Sequence, residues 1–383
     1  MAEIKNLEKV AKRIIRAAKR KERIIVYGDA DLDGLASVVI LKESVRNLGG
    51  EVAEVYFPER QKEGYGLNLS ALRYLKKHVP ALLICLDCGI SNFKEADKAK
   101  QLGFELIIID HHEVLDKLPA ASIVVDPKQK TDSYPFKKLA TAGIAMRLSR
   151  LIFGRKFSPR LRESFYELAA LATVADMMPQ EKENKLITKK GLRYLDKTFR
   201  PGLKVFFNKF GQEDQSIGEV SQKIIAALNF SEVDNHLIEA YSLLGATDIK
   251  IAERIADSIL GKSYRRHQKI KEIVESISAK LPENPSEPII FEVTSCWDMI
   301  ILGSIASKIC HKYHKPTFII RKDGTESRGA LRMPVGLNGV EAMKACSDIL
   351  ITYGGHPMAA GFTIKNKNLN KLKDRLSEHF EKL

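Results

Sequence analysis

Acidic and histidine side chains follow three apolar, β-branched runs, each at the point where the run ends. The runs 23–28, 82–86 and 105–109 lead into Asp29, Asp31 and Asp33, into Asp87, and into Asp110, His111 and His112. Such runs, separated by helix-period segments, are typical of parallel strands, whose carboxyl ends meet at one edge of a sheet. Crowded carboxylates repel one another, so the pattern predicts bound divalent cations, and this number of ligands indicates two. A fourth acidic position, Asp176, follows a helix-like segment of small residues.

The spacing Asp29-x-Asp31-x-Asp33-Gly also matches the start of a calcium-binding EF-hand loop. That loop requires Glu at its twelfth position, which is Ile40 here, and a helix before it, where this chain has a strand-like run. A solvated acidic turn is the other simple interpretation. It does not explain why acidic residues also follow the later strands. A strand-end metal site is therefore the favoured hypothesis.

Composition bounds the class of protein. The 383 residues, 44% hydrophobic and 29% charged, suit two globular domains. No apolar stretch reaches the ~20 residues that span a membrane, no signal-peptide core opens the chain, and five cysteines lack framework spacing, so we expect a cytoplasmic protein. There is no Walker loop or dinucleotide glycine fingerprint, so no nucleotide cofactor is expected. The net charge of +14 suits a nucleic-acid partner, although a Lys-rich, thermophile-like surface has the same composition.

Hydrophobic periodicity predicts the order of elements. After an amphipathic, basic lead helix over residues 5–20, strands alternate with helices, as in a doubly wound parallel sheet. The predicted strands are 23–28, 51–57, 82–87, 105–110 and 122–126, and the predicted helices between them are 34–48, 69–77 and 91–102. Residues 140–200 are helical in pattern, and Ile249 to Lys280 is one long polar helix. Its basic residues fit either a solvated face or the wall of a nucleic-acid channel.

A smaller α/β unit begins near residue 288 and has its own polar residues. Strands are predicted near 288–293, 316–321 and 360–365, with a helix over 303–313. Arg328 and Arg332 are suited to bind phosphate, and the segment that runs from Gly354, Gly355 and His356 to Gly361 is predicted to be a glycine-rich turn with an imidazole at its tip. An ordinary turn with a surface histidine is the alternative.

Taken in order, the motifs Asp29-Ala-Asp-Leu-Asp-Gly34, Leu86-Asp-Cys-Gly89, Asp110-His-His-Glu113 and Thr173-Val-Ala-Asp176 resemble the four motifs of the DHH phosphoesterase superfamily. The finer resemblance is to RecJ-type single-strand exonucleases. It includes Glu63-Gly-Tyr-Gly-Leu67 and Gly354-Gly-His-Pro-Met-Ala-Ala-Gly361 and covers essentially the whole chain.

The resemblance implies a DHH catalytic domain over 1–200, a helical connector over 201–284 and a DHH-associated, substrate-binding α/β domain over 285–383, with the active site in the cleft between the domains. Bacterial relatives add a C-terminal OB-fold, for which this chain has no room, so a short, archaeal-type homologue is expected. The segment after Trp297 departs from the family, because Asp298 and Ile300 stand where His and Gly are usual.

The resemblance also implies the roles of the site residues. Asp29 and Asp31 would hold one ion, Asp33, His111 and Asp176 the other, and Asp87 would bridge both. The ions are expected to be Mn²⁺, with Mg²⁺ as a substitute, because imidazole joins the carboxylates. Asp110 would orient a ligand imidazole, His112 would contact the phosphate or donate a proton, and Arg328, Arg332, Gly354, Gly355 and His356 would bind substrate.

The function implied is hydrolysis of single-stranded DNA or RNA by a metal-dependent exonuclease. Two alternatives stay open: an oligoribonuclease or small-nucleotide phosphodiesterase, and a component of a replication complex that associates with GINS. The sister branch of small-substrate enzymes carries His-x-x-Pro-Asp-x-Asp in its first motif, whereas Tyr27 and Asp29 stand in those places here, which favours the RecJ branch.

Overall fold

The structure, a computed structural model, describes residues 3–115, 117–211, 215–229 and 233–382. These residues divide into two compact units, one over 1–263 and one over 264–383. Among the described residues, no helix combines the length and the apolar character needed to cross a membrane.

The first unit is built on a parallel sheet of five strands. The strands are β1 (Ile24–Gly28), β2 (Val52–Tyr56), β3 (Ala81–Leu86), β4 (Phe104–Ile109) and β5 (Ile123–Val125). Their order across the sheet is β2-β1-β3-β4-β5, and every neighbouring pair is parallel. This order reverses between β1 and β3, which is the position where doubly wound sheets bind their ligands. The predicted doubly wound fold is confirmed, and each predicted strand lies within a residue or two of its observed bounds.

Helices cover both faces of this sheet and continue after it. They are α1 (Leu7–Lys19), α2 (Leu32–Asn47), α3 (Arg60–Glu63), α4 (Leu69–Leu75), α5 (Phe93–Leu102), α6 (Thr141–Phe153), α7 (Pro159–Ala175), α8 (Lys182–Tyr194), α9 (Pro201–Phe210), α10 (Ile217–Asn229) and α11 (Glu239–Leu244). A short hairpin, β6 (Val233–Asp234) and β7 (Leu237–Ile238), precedes α11.

Alternating side chains along each strand supply the two cores of this unit. Val26 and Ile84 face the larger core, which includes apolar residues of α1, α2, α6 and α7. Their neighbours Ile25 and Cys85 face the smaller core beneath α4 and α5. Strands buried on both faces read as continuous apolar runs, which explains why the sequence pattern located them well.

The long polar helix α12 (Ile249–Lys280) has the predicted bounds and leads into the second unit. That unit has the strands β8 (Ile290–Thr294), β9 (Thr317–Asp323), β10 (Glu326–Arg332), β11 (Leu350–His356) and β12 (Ala359–Lys365) and the helices α13 (Met299–Tyr313), α14 (Gly339–Ala345) and α15 (Leu369–Glu381). The sheet order is β11-β12-β10-β9-β8, antiparallel except for the β8–β9 pair.

The glycine-rich segment Gly354–Gly361 contains the predicted turn, but the turn is confined to Pro357 and Met358. Gly354 and Gly355 lie instead in the edge strand β11, where Gly354 pairs with Gly361 and Gly355 with Ala360. Glycine is rare inside strands, so the local pattern concealed a pairing that depends on β12.

Candidate metal centre and phosphate-binding face

Three candidate ligands continue the hydrogen-bond ladder of the first sheet just beyond its strands. The amide of Asp29 donates to Leu86 O at 3.2 Å, and the amide of Asp87 donates to Ile109 O at 3.0 Å. The amide of Asp110 donates to Val125 O at 3.0 Å in the same way. The predicted convergence of these carboxylates at the carboxyl edge of the sheet is therefore present in the structure. Asp87 has a left-handed backbone with φ of 63°, which few residues other than glycine adopt.

Asp31 and Asp33 are held by the start of α2. One carboxylate oxygen of Asp31 caps this helix by accepting the amides of Asp33 and Gly34, each at 3.1 Å. A side chain at Gly34 would place its Cβ 2.3 Å from Asp29 O, so only glycine lets the two segments approach this closely. The motif spacing thus reflects a turn that folds Asp31 and Asp33 back towards Asp29.

The N-terminus of α6 fixes two of these carboxylates. Asp33 accepts hydrogen bonds from the amides of Thr141 and Ala142 at 2.7 and 2.8 Å. It therefore supplies acceptors for two amide groups that have none within the helix. The Thr141 hydroxyl donates to Asp87 Oδ1 at 3.0 Å, and all three groups are buried. Sequence reasoning missed Thr141, whose only local signal is its place at the start of a helix.

His111 lies at the centre of one group of candidate ligands. Its Nε2 atom is 3.3 Å from Asp87 Oδ1, 3.4 Å from Asp176 Oδ2 and 3.8 Å from Asp33 Oδ2. Burial lowers the pKa of His111 and outweighs the neighbouring carboxylates, so the ring is neutral at pH 7. A neutral imidazole is the form that binds metal.

A second group consists of Asp29, Asp31 and Asp87, whose oxygen atoms lie within 4.8 Å of one another. Arg60 of α3 reaches this group and places Nη2 2.6 Å from Asp29 Oδ2 and 2.9 Å from Asp31 Oδ2. Burial raises the pKa of Asp29. Burial is also the largest single effect on Asp31, but Arg60 and the Gly34 amide together with the other hydrogen bonds outweigh it, so the pKa of Asp31 falls. Arg60 was not predicted; its signal is its position just before the Glu63-Gly-Tyr-Gly segment.

His112 and Asp110 form a separate pair. His112 Nδ1 lies 2.7 Å from Asp110 Oδ1, and Asp110 also accepts the amides of Ile90, His111 and His112. Burial disfavours a charged ring at His112, but the Asp110 hydrogen bond and charge prevail and raise the pKa of His112 to about 9. His112 is therefore a half-exposed cation at neutral pH, and Asp110 orients it.

The remaining carboxylates fit a divalent cation. Burial raises the pKa of Asp33 and of Asp176 to about 6, and burial with neighbouring carboxylates raises the pKa of Asp87 well above its ordinary value. Asp176 Oδ2 is buried and accepts no hydrogen bond from the described residues, although it lies 3.4 Å from His111 Nε2. A cation among these oxygens would restore their charge and supply the missing partner, so the residues present suit the predicted metal.

The predicted substrate-binding residues lie in the second unit. Arg328 and Arg332 are four residues apart on β10 and so project from the same face as Ala330, which packs towards α13. Gly354 and its partner Gly361 are exposed, and a Cβ added at Gly354 would meet nothing within 4 Å. Arg332 lies close to α13, since a Cβ on Gly303 would be 3.0 Å from its Nη2. The side chain of His356 lies outside the described residues.

Two family models match the chain: the DHH family N-terminal domain over residues 23–173 and the DHHA1 domain over residues 287–382. The single-stranded-DNA-specific exonuclease RecJ of Bacillus subtilis is 34% identical over 98% of this chain and 48% of its own length. RecJ of Thermus thermophilus is 28% identical over 98% of this chain and 54% of its own length. The chain thus spans about half the length of these curated relatives.

A crystal structure of exonuclease RecJ bound to manganese superposes with a TM-score of 0.83 at 26% identity, covering 100% of this chain and 96% of that chain. The two models together account for more than half of the residues, and the RecJ likeness also runs through most of the residues that precede and separate them. The chain belongs to the DHH family, carries a DHHA1 domain after its DHH domain, and within that family is similar to RecJ.

Proposed function

We propose that this protein is a metal-dependent exonuclease that hydrolyses the phosphodiester bonds of single-stranded nucleic acid. The observation that carries the proposal is a pair of ligand groups at the point where the strand order reverses. Asp87 belongs to the group with Asp29 and Asp31, and its Oδ1 lies 3.3 Å from His111 Nε2 of the other group. The similarity to proteins named single-stranded-DNA-specific exonuclease supports the choice of substrate.

Two ligand sets follow from the distances between side chains. Asp29 and Asp31 would hold one ion, Asp33, His111 and Asp176 would hold the other, and Asp87 would contribute to both. Within each set, and from Asp87 to its neighbours, the ligand atoms are close enough to surround one cation. Mixed carboxylate and imidazole ligation favours manganese, with magnesium as a substitute.

When bound, the two cations would relieve charge on the scissile phosphate and lower the pKa of the attacking water. The protein's own contribution is to hold the ligands before any ion arrives, through the helix starts at Asp31 and Thr141. His112, protonated below pH 9, can donate a hydrogen bond or a proton to a phosphate oxygen, and Asp110 fixes the direction of that donor.

The second unit would bind the substrate backbone. Arg328 and Arg332 offer guanidinium groups that match phosphate oxygens, and the exposed glycines of β11 and β12 let a strand approach the sheet closely. His356 is proposed as a further substrate ligand on the resemblance alone. The boundaries 1–200, 201–284 and 285–383 are our proposal for the domains that carry these roles.

The decisive experiment is a degradation assay in Mn²⁺ with single-stranded DNA and RNA oligonucleotides labelled at either end. Asp87→Ala should abolish turnover and weaken Mn²⁺ binding, because it removes the carboxylate that completes one ligand group and lies 3.3 Å from His111 Nε2 of the other. The matched control is Asp97→Ala, an exposed aspartate on α5. Stepwise release from one end would support the proposal and reveal the polarity and the sugar preference. Hydrolysis of di- to tetranucleotides alone would move the protein to the small-nucleotide phosphodiesterases, and normal activity in Asp87→Ala would refute the two-metal site.

A further inference from the structure

Helix α1 carries a stripe of exposed basic side chains that the proposed chemistry does not use. We call Lys5, Lys9, Lys12, Arg16, Lys19 and Arg20 the α1 stripe; all six are exposed. At 3.6 residues per turn and 1.5 Å per residue, Lys9, Lys12, Arg16 and Lys19 fall within roughly 80° of the helix circumference and span about 15 Å. Lys5 precedes the helix and Arg20 follows it directly. The opposite face, which includes Leu7, Ile14 and Ala18, is buried in the larger core.

The sign of the charge distinguishes this helix from the mixed-charge helices α5, α12 and α15. Its exposed carboxylate is Glu8, whereas those three helices interleave acidic and basic residues along their exposed faces. Helix α8 also exposes basic residues, so the choice of α1 rests on its position at the sheet. Arg13, at the margin of the stripe, is the one cation of α1 with ion pairs among the described residues, to Glu22 and Glu105. Like charges three and four residues apart repel one another and destabilise a helix, and a bound polyanion would remove this repulsion.

The ends of the stripe relate it to the candidate metal centre. Lys5 Nζ donates to Thr131 Oγ1 at 2.5 Å, and Asn6 Nδ2 donates to Val124 O at 2.9 Å, so the helix begins near the carboxyl end of β5. Arg13 bonds Glu105 at the start of β4, so the helix then runs towards the opposite edge of the sheet. The stripe therefore starts at the sheet edge that holds the metal ligands and leads away from it.

The surface chemistry selects the partner. We propose that the α1 stripe binds the phosphate backbone of single-stranded nucleic acid beyond the nucleotides held at the metal centre. A protein interface needs apolar side chains at its centre, and insertion into a lipid surface needs large apolar side chains. None of the large hydrophobic residues that are exposed among the described residues belongs to α1. Contacts made only by Lys and Arg are typical of sequence-independent phosphate binding. The choice of nucleic acid rests on the proposed function.

The test compares two variants of equal charge. In the stripe variant, Lys9→Gln, Lys12→Gln, Arg16→Gln and Lys19→Gln are combined; in the control, Lys98→Gln, Lys100→Gln, Lys371→Gln and Lys373→Gln are combined on the mixed-charge helices α5 and α15. Binding of labelled 4-nucleotide and 20-nucleotide strands is measured by fluorescence anisotropy in EDTA over a range of salt concentrations. Thermal unfolding should show that the stripe variant is at least as stable as the wild type, since like-charge repulsion is removed.

The stripe variant should bind the 20-nucleotide strand on the order of 10-fold more weakly at low salt, with a salt slope shallower by about 2.8 for four lost phosphate contacts. Its binding of the 4-nucleotide strand, and its cleavage of that strand in Mn²⁺, should match the wild type. The proposal is overturned if the control variant loses as much, if both lengths lose equally, or if the stripe variant loses binding to vesicles with anionic headgroups but not to the 20-nucleotide strand. Failure of the proposed function would appear separately, as a wild-type chain that binds the long strand through the stripe but cleaves neither length.

Discussion

Thr141 is expected to set the metal affinity of the centre although it is not a candidate ligand. Its hydroxyl donates to Asp87 Oδ1 at 3.0 Å inside the protein. A hydrogen bond to a charged group contributes about 1.5–3 kcal/mol, and loss of a partner that orients a metal ligand weakens metal binding about 10–100-fold. Since 10-fold corresponds to about 1.4 kcal/mol, the two estimates agree. Thr141→Val, which keeps the shape and removes the donor, should therefore raise the Mn²⁺ dissociation constant about 10–100-fold.

The assay is a titration of Mn²⁺ followed by the electron paramagnetic resonance signal of the free ion, so that it does not depend on turnover. Thr141→Ser, which keeps the hydroxyl, should bind Mn²⁺ nearly as well as the wild type. The matched control is Thr173→Val, because the buried hydroxyl of Thr173 bonds only to Ala169 O of its own helix among the described residues. An unchanged dissociation constant in Thr141→Val, or equal losses in the serine and valine variants, would refute the role assigned to the hydroxyl.

Three further outcomes follow from the charges. Burial raises the pKa of Glu167 from 4.5 to about 7. Between these two pH values the folded state keeps a proton that the unfolded state releases, so the free energy of unfolding falls as the pH rises. Urea unfolding should show Glu167→Gln gaining roughly 3 kcal/mol on the wild type between about pH 4.5 and 8; a constant difference would contradict this. Asp110→Asn keeps an oxygen acceptor but removes the negative charge that helps to raise the pKa of His112, so an NMR titration of the ring should move from about 9 towards its ordinary value of 6.5, and an unmoved titration would count against the pairing. Arg60→Gln leaves the Asp29 charge without its cation, so Mn²⁺ should raise the melting temperature of this variant more than that of the wild type, and an equal rise would disprove the compensation.

The sequence located the first sheet and the candidate ligands because both signals are local. A strand buried on both faces is a continuous apolar run, and a carboxylate directly after it needs no tertiary information to be noticed. Parallel topology then brings Asp29, Asp87 and Asp110 to one edge, and the observed order of β1, β3 and β4 places them on neighbouring strands.

The residues that sequence reasoning missed act through contacts between distant segments. Arg60 lies 31 positions from Asp29, and Thr141 lies 54 positions from Asp87, so neither contact has a periodic signal. Strand β11 was missed because two adjacent glycines weaken a local strand pattern, and its pairing with β12 became evident only in three dimensions.

The crowding of buried carboxylates around Asp87 has a consequence for how the chain tolerates mutation. Without metal, the protein holds like charges together at Asp87 and Asp176, so neutral residues there should relieve repulsion and favour folding, and at position 87 the left-handed backbone limits the choice to Asn or Gly. A library of variants selected only for folding in EDTA should therefore accept such residues at these two positions, whereas the same library selected for nuclease activity should reject them. The positions whose preference reverses between the two selections would trace the outline of the metal centre from mutational data alone.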